Sequence, residues 1–143
     1  MEFTEAQSRF ILSHRVARLA TVSADGQPHV IPVCYAFDGV LFFSPIDEKP
    51  KRVGPSGLRR VQNIRANPRV ALVIDDYLED WTALAYLLVR GRAEIIQEGP
   101  AHEEALRLLR ERYPQYRAMA LEERPVLCIT PESVVAWGRV GSS

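Results

Sequence analysis

Two Asp-Gly pairs, Asp25-Gly26 and Asp38-Gly39, stand 13 positions apart, each between runs rich in β-branched and aromatic residues. Asp-Gly in that setting is a strong short-range hairpin signal, because the two-residue turn it favours places both central residues at positive φ. The spacing predicts strands over Val16–Val22, Val30–Phe37 and Val40–Ser44, paired as an antiparallel meander. Two such signals so close together make an antiparallel sheet hard to avoid.

Around the meander the remaining elements are short. Thr4-Glu5-Ala6-Gln7 has the form of a capping box and predicts a helix through about Leu12 that buries Ala6, Phe10 and Ile11. Pro45 to Gly57 is punctuated by Pro45, Pro50, Gly54, Pro55 and Gly57 and reads as a loop. Leu58, Val61 and Ile64 repeat at helical spacing until Asn67-Pro68 ends the helix. Val70–Ile74 and Leu84–Ile96 read as strands, joined by an acidic, solvated loop from Asp75 to Trp81. A third helix runs from Pro100 to about Tyr113, with Glu103/Arg107 and Arg107/Glu111 at the spacing of exposed pairs. Val126–Thr130 and Val134–Trp137 follow as two strands. Without repeats, low-complexity tracts or a linker, residues 1–143 form a single domain.

Composition removes several function classes. The 18 basic and 18 acidic residues cancel, so no broad cationic face exists for coating nucleic acid or a membrane surface. The N-terminus lacks the basic start and apolar run of a secretory signal, and no stretch approaches the ~20 apolar residues of a membrane helix. Cys34 and Cys128 each sit inside an apolar run, as buried thiols of a cytoplasmic protein do.

Oligomeric state leaves a trace in two strands. Ala71-Leu72-Val73-Ile74 and Leu84-Ala85-Tyr86-Leu87-Leu88-Val89 are apolar without alternation, although successive strand residues point to opposite faces. Both faces therefore need cover, and three short helices cannot supply it. A second copy of the chain is the expected cover.

Metal and nucleophile chemistry leave little trace. His14, His29 and His102 are scattered, with no HxH, HExxH or CxxC spacing, so no metal ligands are assigned. Asp75, Asp76, Glu79 and Asp80 lack the alternation and central glycine of a calcium loop. No GxSxG, Walker A or GxGxxG occurs, and no catalytic side chain is assigned.

One cationic stretch stands out. Six of the 18 basic residues, Lys49, Lys51, Arg52, Arg59, Arg60 and Arg65, fall within 17 positions that contain no acid. Arg59, Arg60 and Arg65 read as the wet face of the second helix. Lys49, Lys51 and Arg52 crowd into a Pro/Gly-rich loop just before that helix, where free N–H groups and full positive charges together suit an anion such as phosphate.

The order of these parts resembles the pyridoxamine 5'-phosphate oxidase-like superfamily. The similarity runs through Arg18-Leu19-Ala20-Thr21-Val22, Asp25-Gly26-Gln27-Pro28-His29-Val30-Ile31-Pro32-Val33, Leu41-Phe42-Phe43-Ser44 and Lys49-Pro50-Lys51-Arg52. It continues through the helix from Leu58 to Asn67-Pro68. Asp76-Tyr77…Asp80-Trp81, Val89-Arg90-Gly91-Arg92-Ala93 and Ile129-Thr130-Pro131…Ala136-Trp137 resemble its coenzyme F420-dependent subgroup in particular.

The resemblance implies a mainly β chain with short helices (α+β), a six- to seven-stranded antiparallel split β-barrel of the FMN-binding type. It further implies a homodimer with the cofactor at the subunit interface, and an oxidoreductase passing a hydride between F420, or FMN, and a small organic substrate. Carried over by position, Ser44, Lys49, Lys51 and Arg52 bind the cofactor phosphate. Val30, Ile31, Pro32 and Val33 flank the ring through backbone and apolar contacts, and Trp81 and Trp137 approach the ring or substrate cleft. Arg59 and Arg60 suit the carboxylate tail that F420 has and FMN lacks. The alternatives are a flavin or tetrapyrrole carrier or sensor on the same barrel, or a pyridoxamine-phosphate-oxidase-type FMN oxidase. The residues from Trp137 to Ser143 do not match the basic substrate motif of the latter enzymes.

Overall fold

A computed structural model of the chain describes residues 1–46 and 58–140. Its elements in chain order are α1 (Glu5–Ser13), β1 (Val16–Val22), β2 (Pro28–Cys34), β3 (Ala36–Phe37), β4 (Phe42–Pro45), α2 (Arg59–Ala66), β5 (Arg69–Asp76), β6 (Ala85–Ile96), α3 (Pro100–Arg112) and β7 (Val126–Gly138). Short 3-10 turns cover Trp81–Ala83 and Pro114–Ala118.

The strands form one antiparallel sheet in the order β2-β1-β5-β6-β7-β4-β3. β2 and β3 end that order on opposite sides, yet only Tyr35 separates them in the chain. Two Cα steps span about 7 Å, so the sheet has to curl until its ends meet. The described residues therefore form a split barrel of seven strands, mainly β, with three α-helices around it.

Inside the barrel lie Leu19, Phe42, Leu72, Leu87, Leu127 and Ile129, all fully buried. Ile11 of α1 and Val61 and Ile64 of α2 plug into the same core. A second cluster forms where Ala105, Leu106 and Leu109 of α3 pack on Phe43 and Cys128 outside the barrel.

Several expectations need correction. Both Asp-Gly turns are real, but within each pair only the glycine, Gly26 or Gly39, has positive φ. The first loop spans Ser23–Gln27, with Gly26 N donating to Ser23 O at 3.0 Å, so one left-handed residue suffices in this longer turn. The second strand breaks at Tyr35 because the chain there crosses from one sheet end to the other. Asp38 Oδ1 accepts from Val40 N and Leu41 N, which holds both in the turn and delays β4 to Phe42. Asp75 and Asp76 belong to β5 rather than to a loop. Ala6 and Phe10 are only half-buried, because they line an open cleft beside Ala83 and Ala85. Arg107 pairs with Glu104 and Glu111, not Glu103. Cys34 is half-buried, whereas Cys128 is buried.

The last two predicted strands are one. β7 runs unbroken past Pro131, with Glu132 as an extra residue between the pairs Arg90↔Ser133 and Gly91↔Pro131. A bulge tolerates proline, which has no N–H to give the ladder.

Candidate functional site

Two regions collect the residues that chemistry could use. The first is a cleft of about 310 Å³ between the β1–β2 turn and the start of α2. The turn supplies Ser23, Asp25 and Gln27, the edge strand supplies His29, and α2 supplies Arg59 and Asn63. The Ser23 hydroxyl donates to Asp25 and accepts from Gln27 N, which fixes the turn. That hydroxyl, backbone N–H groups and, more weakly, the Arg59 charge hold the Asp25 carboxyl below the usual carboxylate range. Asn63, 2% exposed, donates its amide to the Thr21 hydroxyl at 3.0 Å and so docks α2 on β1.

Two groups in this cleft have no hydrogen bond among the described residues. Arg59 is exposed at the first turn of α2 and makes no hydrogen bond or ion pair among the described residues. His29 Nδ1 is buried without a hydrogen-bond partner among them. Leu58, the N-cap of α2, offers no side-chain acceptor to the helix's first N–H groups. Among the described residues, a cation, a ring nitrogen without a hydrogen-bond partner and a helix start without a side-chain cap together suit an anionic group.

The second region is the outer face of the sheet. Pro32, Arg18, Val73, Leu88 and Val135 form a row across five strands, with Tyr86 and Trp137 paired beside it. Tyr86 and Trp137 stack at 5.8 Å and 17°. Arg18 and Asp75 form an ion pair on this face at 2.6 Å, and Arg90 and Arg92 follow Leu88 outward along β6. Along the middle of β5 and from Ala85 to Val89 of β6 the burial alternates between buried and half-buried, so the inner residues are covered by the barrel and the apolar outer ones are only partly covered, while Arg90, Arg92 and Glu94 farther along β6 are exposed.

The sequence-derived site residues divide between these places. Lys49, Lys51 and Arg52 lie outside the described residues. Val30, 61% exposed, and Pro32 point outward from β2, Ile31 is half-buried, and Val33 is in the core. β2 ends the sheet order, so one side of its backbone has no strand partner there. Ser44 is buried, and its hydroxyl donates to the Cys34 carbonyl at 2.9 Å. Trp137 lies on the outer face, and Trp81 projects from the β5–β6 connection. His29, Gln27 and Asn63 escaped the sequence reading, since only the docking of α2 brings them to Arg59.

The other histidines are occupied. His102 Nε2 lies 2.7 Å from the Arg124 carbonyl, and His14 Nε2 lies 2.6 Å from Asp76 Oδ1. Among the described residues no group of His, Cys, Asp and Glu is placed to hold a metal, and no helix is long and apolar enough to cross a membrane.

Comparison with known proteins agrees with the geometry. The family described as pyridoxamine 5'-phosphate oxidase matches residues 3–138. The 5a,11a-dehydrotetracycline/5a,11a-dehydrooxytetracycline reductase of Streptomyces rimosus is 30% identical over 142 residues, 99% of this chain and 87% of that protein. A solved F420 reductase superposes with a TM-score of 0.60 at 26% identity, over 85% of this chain and 89% of its own. A haem storage protein of Vibrio cholerae shares the fold at a TM-score of 0.74 and 17% identity, over 96% of this chain and 98% of its own. A split barrel, an apolar outer face and a match over nearly the full length converge: the chain belongs to the pyridoxamine 5'-phosphate oxidase family.

Proposed function

We propose that this protein is a homodimeric oxidoreductase that transfers a hydride between coenzyme F420, with FMN as the alternative, and a small conjugated organic substrate. The observation that carries the reading is the cleft at the start of α2, where Arg59 makes no hydrogen bond or ion pair and His29 Nδ1 is buried without a hydrogen-bond partner among the described residues. Those groups fit the anionic side chain of such a coenzyme. Two relatives bear reductase names, one acting on a dehydrotetracycline and the other named for F420.

In this reading Lys49, Lys51 and Arg52 bind the phosphate, with Ser44 at the base of their loop. Arg59 and His29 extend the site toward further carboxylates, which F420 has and FMN lacks. Val30, Ile31, Pro32 and Val33 flank the ring along β2. The outer face, with Val73, Leu88 and Val135 half-buried or exposed in one copy, is covered by the second. Trp81 and Trp137 then close the substrate side and exclude water. When bound, the reduced coenzyme supplies the hydride. The chain's own work is to hold charge, orient the ring and keep the cleft dry, which requires no protein nucleophile.

The test is a titration of the purified protein with F420 and FMN separately, followed by turnover of enones or dehydrotetracycline-like acceptors. Micromolar or tighter binding of one coenzyme is expected. Replacing Lys49, Lys51 and Arg52 by Ala is expected to weaken it by about 1–3 kcal/mol for each charge-assisted hydrogen bond removed. A protein indifferent to both coenzymes, or one that takes up haem and turns nothing over, overturns the proposal.

A further inference from the structure

The β5–β6 connection carries the two most exposed large apolar side chains among the described residues, Trp81 at 69% and Tyr77 at 63%. An apolar tip on a loose loop needs no explanation, since scattered surface hydrophobes are common. This tip is held at both ends. At the β5 end, His14 Nε2 lies 2.6 Å from Asp76 Oδ1, while His14 Nδ1 lies 2.7 Å from the Phe10 carbonyl. At the β6 end, Asp80 Oδ1 accepts from Thr82 N at 3.0 Å and from Thr82 Oγ1 at 2.6 Å. Backbone bonds from Ala83 N to Asp80 O and from Leu84 N to Trp81 O close the turn. Trp137 stacks on Tyr86, whereas Trp81 has no ring partner among the described residues.

The connection leaves the sheet at the end where Tyr86 and Trp137 face outward, because Asp75 pairs with Tyr86 and Asp76 with Ala85. Trp81, 69% exposed, thus lies at the end of the sheet next to the Tyr86–Trp137 pair, beside the face that the second copy covers in the dimeric reading. We infer that Asp80 is a positioning residue: by capping the Trp81–Ala83 turn it sets the indole of Trp81 for the partner copy's coenzyme cleft. The inference rests on the dimeric, coenzyme-binding reading. Its physical content is preorganisation, because a capped turn has fixed the backbone of Trp81 before association, and binding need not pay for ordering it.

A cap that only kept the loop from fraying would protect stability and leave coenzyme affinity alone. The two roles separate in a double-mutant cycle read as coenzyme affinity, with F420 and FMN as probes. Asp80→Ala is expected to weaken binding about 3- to 10-fold, the range that follows from removing an N-cap. Trp81→Ala is expected to cost at least as much, and the double variant no more than Trp81→Ala alone. Asp80→Asn keeps the acceptor oxygen and is expected to restore most of the affinity. If Asp80→Ala fails to fold, Thr82→Val removes the hydroxyl that donates to Asp80 Oδ1 at 2.6 Å, is expected to weaken binding in the same direction and carries the cycle instead. Wild-type affinity in Asp80→Ala, or losses that multiply in the double variant, overturns the inference. If Trp81→Ala binds normally while the Lys49, Lys51 and Arg52 triple variant does not, the inference falls and the coenzyme reading stands. Wild-type protein that binds neither coenzyme ends both.

Discussion

Ser44 of β4 donates its hydroxyl to the Cys34 carbonyl of β2 at 2.9 Å, across the seam where the two ends of the sheet meet. A hydroxyl has one proton, and here the barrel uses it. Ser44→Ala is expected to lower unfolding free energy by about 0.5–1.5 kcal/mol, measured by urea denaturation. Its effect on coenzyme affinity is expected to be smaller than that of Lys51→Ala. The reverse order would return Ser44 to the phosphate site and leave the seam to the backbone.

Gly91 faces the bulge in β7. A Cβ at this position would lie 2.2 Å from the Thr130 carbonyl oxygen and 3.1 Å from Pro131 Cα, and both neighbours are backbone. Neither can move without breaking the β6–β7 ladder. Gly91→Ala is expected to destabilise the fold by about 1–3 kcal/mol or more, the cost of overpacking. An unchanged thermal midpoint would mean that the bulge is softer than its geometry implies.

Local signals were the legible part of this fold. Thr4 and Gln7 announced α1 because a capping box is complete within four residues, and Asn67-Pro68 ended α2 for the same reason. Asp25-Gly26 and Asp38-Gly39 announced the meander, although a turn's length depends on how its strands pair. The bulge was hidden, since Pro131 reads as a strand breaker until Gly91 stands opposite it. The break at Tyr35 was hidden too, because it follows from barrel closure. At the candidate site, Arg59 was visible as part of a charge run. His29 and Asn63 were not, for one lies in the edge strand and the other on α2, and packing alone joins them.

Cys128 titrates late. Burial, with smaller contributions from the charges of Glu94 and Asp38, pushes its thiol up to about 11 from the usual 9.0. The folded value exceeds the unfolded one, so the unfolded chain releases this proton first. The group therefore leaves stability unchanged well below pH 9 and erodes it as pH climbs from about 9 to 11. Urea midpoints across that window are expected to fall more steeply in wild type than in Cys128→Ala. Iodoacetamide on native protein at about pH 8 is expected to label the half-buried Cys34 first; equal labelling of both thiols would contradict the burial argument.

Val135 tests the second copy. It sits on the outer face in register with Leu88, which is in turn in register with Val73, and it is exposed in a single chain. A glutamate there meets water in a monomer and is expected to leave its unfolding free energy within about 0.5 kcal/mol. In a dimer it is buried against apolar neighbours without a partner, a cost of several kcal/mol set against an interface of about 800 Å² per copy. Sedimentation velocity is expected to show a dimer for wild type and a monomer for Val135→Glu, with coenzyme binding abolished alongside. A wild-type monomer that still binds F420 or FMN would detach the coenzyme site from the outer face and leave that face without an occupant.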